Sequence, residues 1–234
     1  DVIDTIEKTN SLQPDRLAFY SYAHVPWIKG NGQRGFNDED IPKDETKRKL
    51  YEVGKDLLFE NEYYEIGMDH FALKSDSLYD SFEKGKLHRN FMGYSSSKTQ
   101  LMIGLGVSSI SDSWYSFAQN VKELEDYYKI LKTDKLPIFR GHLLTAEDLI
   151  IRRHILNLMC HFETSWKDKA LYFAEVPEII IQLKEMENDG LVIIEKNGIK
   201  VTNAGKPFVR NICMAFDLRL KRKAPETKLF SMTI

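Results

Sequence analysis

The order of apolar patterns along the chain is the feature that most constrains its fold. Residues 1–12 carry apolar side chains at helical spacing, Gln13-Pro14-Asp15 ends this helix, and residues 16–22 have the composition of a buried strand. Helices and strands then alternate, with helices predicted over 45–61, 76–84 and 121–131 and apolar strands over 63–68 and 101–109. The alternation predicts an α/β fold whose first residues look like the tail end of an α/β repeat.

After Pro137 the pattern becomes mostly helical. Helices are predicted over 145–162, 177–190 and 204–219, and a hairpin over 191–195 and 199–202. The Asn197-Gly198 pair supports the hairpin because it suits a tight primed turn. Helix, helix, hairpin, helix is the order of a winged-helix domain, so we place a domain boundary near residues 136–146.

The cysteine content limits which metal and disulfide chemistry the chain can support. Cys160 and Cys213 cannot form a disulfide framework, and they cannot supply the three or four thiolates of an iron–sulfur cluster. His154 and His161 lie near Cys160 on a predicted helix, but a three-ligand set there needs a further residue. No metal site is therefore predicted.

Charge and hydropathy argue against two kinds of partner. The formal net charge of −2 argues against bulk electrostatic binding to nucleic acid. No apolar stretch approaches the roughly 20 residues of a membrane helix, and no signal-peptide pattern opens the chain. We therefore expect a cytoplasmic protein. Because the sequence starts with Asp1 inside a predicted helix, we also expect a fragment.

The helix before the predicted hairpin is acidic. In many winged-helix proteins this helix enters the major groove of DNA. Here it carries one cation, Lys184, and four carboxylates, those of Glu178, Glu185, Glu187 and Asp189. Phosphates would repel such a helix, so the pattern favours a packing domain over a DNA-binding module.

Polar side chains follow three of the predicted strands. His24 follows the first, Asp69 and His70 follow the second, and small and polar residues mark the end of the third in the segment Gly104-Leu105-Gly106-Val107-Ser108-Ser109-Ile110-Ser111. In parallel α/β folds, sites form at the carboxyl ends of strands. His24, Asp69 and His70 are therefore candidate catalytic residues, although a hydrogen-bonded structural role would also explain each of them.

A second group of polar residues has the chemistry of carboxylate binding. His88 and Arg89 open the segment His88-Arg89-Asn90-Phe91-Met92-Gly93-Tyr94, and Gln33-Arg34 and Arg140 add further donors. Arginine binds carboxylates with paired hydrogen bonds. We take Gln33, Arg34, His88 and Arg89 as candidate substrate-binding residues, with an ordinary surface loop as the alternative.

These motifs occur in the order found in one family. The strings are Tyr22-Ala23-His24-Val25-Pro26, Gly67-Met68-Asp69-His70-Phe71, His88-Arg89-Asn90-Phe91, Gly104-Leu105-Gly106-Val107-Ser108 and Arg210-Asn211-Ile212-Cys213-Met214. The chain resembles the oxygen-independent coproporphyrinogen III oxidases (coproporphyrinogen dehydrogenases) of the radical S-adenosylmethionine superfamily. The related heme-chaperone branch resembles it less, because it lacks the second and third strings.

The resemblance implies a division of the chain into three parts. Residues 1–35 would be the last helix and strand of an incomplete β/α barrel, and 36–140 an α/β segment that completes the catalytic domain. Residues 141–234 would be a mostly helical, winged-helix-like C-terminal domain. The family's Cys-x-x-x-Cys-x-x-Cys cluster motif is absent. The chain is therefore expected to match the C-terminal half and to be inactive alone.

The resemblance also implies a chemistry. A 4Fe–4S cluster reduces S-adenosylmethionine, and the resulting 5′-deoxyadenosyl radical removes hydrogen from a propionate of coproporphyrinogen III. Two oxidative decarboxylations then give protoporphyrinogen IX for heme biosynthesis. Two S-adenosylmethionine molecules bind per active site, and Ala23 and Ile110 match positions that line the second. Met92 stands where the family commonly has glutamine.

The partners implied are coproporphyrinogen III and an electron donor such as flavodoxin or ferredoxin. We expect no binding to nucleic acid or to a membrane. We also expect a monomer. Two alternatives are a heme- or porphyrin-binding carrier of the same superfamily and, less favoured, a winged-helix DNA-binding module.

Overall fold

The computed structural model describes residues 2–25, 33 and 35–223. Its helices are α1 (Val2–Leu12), α2 (Asp44–Glu60), α3 (Ser77–Glu83), α4 (Leu124–Leu131), α5 (Ala146–His161), α6 (Val176–Asn188), α7 (Val209–Met214) and α8 (Leu218–Lys223). Its strands are β1 (Arg16–Ala18), β2 (Tyr63–Gly67), β3 (His70–Leu73), β4 (His88–Asn90), β5 (Gly93–Ser95), β6 (Leu101–Met102), β7 (Ile110–Ser113), β8 (Ser116–Asn120), β9 (Ile138–Leu143), β10 (Glu163–Ser165), β11 (Val192–Glu195) and β12 (Gly198–Val201). The predicted mixture of helices and sheets is confirmed.

The first sheet has the order β1-β3-β2, and β3 was not predicted. Because β3 runs antiparallel to both neighbours, β1 and β2 point in the same direction and end at the same edge. The backbone N–H of Phe19 donates to the carbonyl of Asp69 at 2.8 Å across this edge. The residues that follow the first two strands therefore do approach each other, although every strand pairing in the described part of the chain is antiparallel.

Three predicted elements were wrong in extent. The strand predicted over 16–22 ends at Ala18, and the strand predicted over 101–109 ends at Met102. Beyond its end, Gly106 and Ser108 both adopt positive φ where the chain turns toward β7. The helix predicted over 204–219 is divided into a 3₁₀ turn, α7 and the start of α8.

Most of the apolar core lies in one cluster that joins residues 66–94 to residues 151–218. Ile66 and Leu78 belong to the same cluster as Leu158, Leu183 and other residues of α5 to α8. A smaller cluster packs α1 and α2 on the first sheet, with Ile6, Leu58, Tyr63 and Phe71 buried in it. The residues after position 146 thus pack directly on the segment that carries the candidate site residues.

The C-terminal part contains a three-stranded sheet in the order β10-β12-β11. The predicted hairpin is confirmed as β11 and β12. Helix α5 begins at a capping box, in which Thr145 and Asp148 satisfy each other's backbone N–H groups. This cap fixes the residue at which α5 begins.

We expect Gly205→Ala to destabilise the protein by about 2 kcal/mol, because overpacking a tight site forces the backbone to move. A Cβ atom at Gly205 would overlap the backbone carbonyl of Leu191. Gly35→Ala is the matched control, since no atom of the described residues lies within 4 Å of its added Cβ. Urea unfolding of both variants checks the prediction, and equal stabilities would contradict it.

Candidate active-site cleft

A cleft of about 960 Å³ lies between the β4–β5 region, helix α5 and helices α7 and α8. Pockets that bind small molecules and cofactors commonly measure about 300 to 1,000 Å³. Apolar side chains dominate its walls, among them Met68, Phe91, Phe117, Ile151, Ile155, Met159 and Met214. The cleft is therefore large and apolar enough to hold a bulky organic ligand.

Two polar atoms in the lining of this cleft lack partners. The Nη1 atom of Arg89 and the Oδ1 atom of Asn211 are buried and make no hydrogen bond within the described part of the chain. Leaving a buried polar group unpaired costs about 1 to 3 kcal/mol, and more for a charged group. Water, an ion or a ligand in the cleft would satisfy this cationic donor and this amide acceptor.

Tyr94 fixes the position of Arg89. The Arg89 guanidinium lies over the Tyr94 ring at 4.6 Å from the ring centroid. The Tyr94 hydroxyl donates to the carbonyl of Met159 at 2.8 Å, and burial raises the pKa of this phenol, so it stays protonated. Arg89 of β4 is thus positioned by a residue of β5 that is itself bonded to α5.

Arg152 also lines the cleft, but its hydrogen bonds are used internally. Its Nη1 atom donates to the carbonyls of Ser113 at 2.7 Å and Trp114 at 3.2 Å, and its Nη2 atom bonds Asp112 at 2.7 Å. Asp112 in turn accepts the backbone N–H of Phe91 at 3.2 Å. Arg152 therefore ties helix α5 to the β7–β8 hairpin, and Arg89 is the better candidate for ligand contact.

Asp148 anchors the other end of the cleft. Arg219 donates two hydrogen bonds to its carboxylate, at 2.6 and 2.7 Å, and Thr145 donates two more. The Arg219 bonds hold the pKa of the Asp148 carboxyl well below its usual range. This buried carboxylate joins the start of α5 to α8.

We expect Asp148→Asn to lower the free energy of unfolding by about 2 kcal/mol at pH 7, since hydrogen bonds to charged groups contribute about 1.5 to 3 kcal/mol and the half-exposed Arg219 is screened by water. A depressed folded pKa stabilises the native state above the unfolded pKa of about 3.9, and this stabilisation is lost as the pH falls below it. The difference in the free energy of unfolding between wild type and variant should therefore be smaller at pH 3 than at pH 7. Urea unfolding at both pH values tests this, with the exposed Asp56→Asn as control; a gap independent of pH would contradict it.

Asp69 and His70 lie at the turn between β2 and β3, beside the cleft. Their neighbour Met68 is in the cleft lining, and they are not. His70 Nδ1 is 2.7 Å from the Met68 carbonyl, so Nδ1–H is the donor and Nε2 is the hydrogen-bond acceptor of the ring. Burial raises the pKa of Asp69, and the neighbouring His70 opposes this shift. Asp69 and His70 therefore lie side by side at the edge of the cleft.

His24 and Gln33 organise the loop after β1. The Gln33 side chain donates to the Ala23 carbonyl at 3.0 Å and accepts the Val25 N–H at 2.7 Å. The His24 ring stacks on Phe36 at 4.9 Å and has Nε2 3.1 Å from the Gln33 carbonyl. These contacts join residues 23–25 to Gln33 and Phe36. Arg34, a further candidate, lies outside the described residues.

The other candidate positions lie away from the lining of the main cleft. Ala23 is an exposed loop residue, and Ile110 begins β7 and pairs with Gln119. Met92 is 77% exposed, although its neighbour Phe91 does line the cleft. His88 is next to Arg89 on β4 but lines a separate pocket, because successive strand residues point to opposite faces.

The cysteines do not fit a cluster site. Cys160 and Cys213 are both buried, and burial raises the pKa of each thiol to about 12, whereas metal ligation requires the thiolate. The described residues contain no group of three or more His, Cys, Asp or Glu side chains placed to hold a metal ion.

Within the same residues, no helix is long and apolar enough to cross a membrane.

Asn211 is the site residue that the sequence interpretation missed. It stands in the string Arg210-Asn211-Ile212-Cys213-Met214, whose neighbours Ile212 and Cys213 are buried. A lone amide followed by the apolar residues Ile212 and Cys213 was the available signal. That signal could not say which cleft the amide faces.

Comparison with known proteins gives relatives with one name. The chain is 38% identical over 225 residues to an oxygen-independent coproporphyrinogen III oxidase from Escherichia coli, covering 94% of the chain and 49% of the relative. Relatives of the same name match at 37% over 222 residues in Pseudomonas aeruginosa (91% and 47% covered) and 35% over 243 in Synechocystis (99% and 51%). No protein-family model matches the chain.

A solved structure supports the same relationship. The structure described as coproporphyrinogen III oxidase (HemN) from Escherichia coli, a radical SAM enzyme, superposes with a TM-score of 0.84 at 35% identity. The match covers 93% of this chain and 51% of that structure. The chain thus spans about half the length of the relatives it matches.

Proposed function

Because the chain is homologous to the oxygen-independent coproporphyrinogen III oxidases over nearly its whole length, we propose that it forms the substrate-binding half of such an enzyme. The reaction would convert two propionates of coproporphyrinogen III to vinyl groups, giving protoporphyrinogen IX. In our proposal, the chain is the C-terminal half of that enzyme. The observation that carries the proposal is the large apolar cleft in which Arg89 and Asn211 lack partners.

The chemistry of the cleft matches that of a porphyrinogen. A porphyrinogen has an apolar macrocycle with pyrrole N–H donors inside and propionate carboxylates at its rim. The apolar walls of the cleft would bury the macrocycle, and Arg89 Nη1 would donate to a carboxylate. Asn211 Oδ1 would accept from a pyrrole N–H. Each unpaired atom of the cleft would thereby acquire a partner.

Radical SAM relatives imply S-adenosylmethionine and a 4Fe–4S cluster, which supply the radical chemistry when bound. Cys160 and Cys213 do not fit as cluster ligands, so in our proposal the ligands lie outside these 234 residues and the chain alone is inactive. We propose that Ala23 and Ile110 contact a second S-adenosylmethionine. The residues of the cleft then bind and orient the propionate and exclude water from it.

Further parts of the proposal follow the resemblance. Residues 1–35 complete a radical-SAM barrel, residues 36–140 complete the catalytic domain, and residues 141–234 form a winged-helix-like domain. The enzyme works as a cytoplasmic monomer that accepts electrons from a donor such as flavodoxin or ferredoxin. The comparisons do not favour the porphyrin-carrier or DNA-binding alternatives.

Anaerobic equilibrium dialysis of the 234-residue chain against coproporphyrinogen III tests the binding claim. We expect saturable binding, with etioporphyrinogen as the matched control because it has the same macrocycle without carboxylates. Weaker binding of the control shows that the carboxylates are recognised. Equal binding of the two compounds, or no binding of either, would contradict the proposed role of the cleft.

A further inference from the structure

A smaller pocket lies beside the main cleft, and Leu156 lines both. Its volume is about 210 Å³. Its lining contains no carboxylate but several basic side chains, those of Lys86, His88, Lys98, Arg153 and His161. The strand β4 serves both sites, since Arg89 faces the main cleft and His88 faces this pocket.

His88 forms a buried wall of the pocket and lacks a hydrogen-bond partner. His88 is only 8% exposed, and neither of its ring nitrogens forms a hydrogen bond with a described residue. Burial first, and then Lys98 and Arg152, lower the pKa of His88, while Asp112 raises it. The ring is therefore neutral at pH 7 and keeps one N–H donor. Neither ring nitrogen of His88 is among the fully buried unpaired atoms of the described residues, so the edge of the ring is open to a ligand or water in the pocket.

The cations around His88 lack counterions. Lys86, Lys98 and Arg153 are exposed, and none of them forms an ion pair with a described residue. The Arg153 guanidinium lies 5.1 Å from the centroid of the Trp114 ring, which fixes its position beside the pocket. Clefts lined by one sign of charge concentrate ions of the opposite sign.

We propose that this pocket binds the phosphate group of a small anionic ligand, with His88 donating a hydrogen bond and Lys86, Lys98 and Arg153 neutralising the charge. A volume of 210 Å³ lies below the range of about 300 to 1,000 Å³ typical for larger ligands, so a tetrapyrrole does not fit. A phosphate group with a small substituent fits this volume. Three cations and a neutral donor match a dianion better than a single carboxylate. The inference is independent of the proposed function of the main cleft.

The His88 ring signals in the NMR spectrum of the 234-residue chain test this inference. Inorganic phosphate, glycerol 3-phosphate and acetate are added separately, with sodium chloride keeping the ionic strength constant. We expect saturable shifts with a phosphate and an upward shift of the His88 pKa, because the bound anion favours the protonated ring. Tighter binding of glycerol 3-phosphate identifies a phosphate ester as the ligand, and tighter binding of inorganic phosphate identifies the free ion.

Two variants separate the pocket from general surface charge. Arg153→Glu and Lys98→Glu are each expected to weaken phosphate binding at least tenfold, the usual scale for losing a charge-assisted contact. The matched control is Lys135→Glu, which makes the same charge change at an exposed lysine outside the pocket. Equal weakening by the control, saturation by acetate alone, or His88 shifts that chloride reproduces would each overturn the inference.

Discussion

Arg89→Met is expected to weaken binding of coproporphyrinogen III to the chain by roughly 10- to 100-fold, because it removes a buried charge-assisted hydrogen bond. Methionine keeps the unbranched apolar stem that packs near Tyr94 and removes only the guanidinium. Anaerobic equilibrium dialysis of wild type and variant measures the effect. Arg153→Met, which removes an arginine from the neighbouring basic pocket, is the matched control and should leave this affinity unchanged.

The stability of the same variant gives an independent readout. Because Arg89 Nη1 has no partner within the described chain, its removal costs no internal hydrogen bond. Arg89→Met should therefore change the free energy of unfolding by no more than about 1 kcal/mol, because relief of the unpaired buried cation offsets the lost contact with the Tyr94 ring. A variant that binds normally would contradict the role of Arg89 in the cleft, and a variant that loses binding only by unfolding would make Arg89 a structural residue.

His154→Ala is expected to have the largest effect on stability, lowering the free energy of unfolding by about 3 to 5 kcal/mol, the range for truncating a large buried ring. His154 is fully buried, and burial lowers its pKa, so the ring is neutral. Its Nε2–H donates to the Leu171 carbonyl at 2.8 Å, since a carbonyl can only accept. Nδ1 therefore accepts the Thr164 hydroxyl at 2.7 Å.

The ring of His154 also packs among aromatic residues of the core. Phe216 and Phe173 lie 5.6 Å from it, centroid to centroid, and Trp166 lies 6.3 Å away. His161→Ala is the matched control, because His161 ends the same helix and is exposed. Urea unfolding compares the two variants. Similar losses in both would contradict the structural role assigned to His154.

The sequence predicts elements that carry a strong apolar period and misses those that do not. Helices α2 and α5 and the β11–β12 hairpin were found because their apolar stripe or Asn-Gly turn is local information. Strand β7 was missed because its sequence, Ile110-Ser111-Asp112-Ser113, is short and mostly polar. Its pairing with β6 and β8 is set by tertiary contacts that the sequence pattern does not reveal.

The site was predictable in part for a similar reason. The density of polar groups around Arg89 marked that segment, and the structure places Arg89 in the main cleft. His88 was grouped with Arg89, but the alternation of a strand sends the two side chains to different pockets. Asn211 comes from a helix more than a hundred residues away and joins the site only through packing.

The most direct test of the central claim is turnover by a chimaera in which this chain replaces the matching half of the Escherichia coli relative. The chimaera is reconstituted anaerobically, and its 4Fe–4S cluster is verified by absorbance before the assay. We predict that it converts coproporphyrinogen III to protoporphyrinogen IX and consumes S-adenosylmethionine. A chimaera that has an intact cluster and cleaves S-adenosylmethionine, yet forms no protoporphyrinogen IX, would contradict the account.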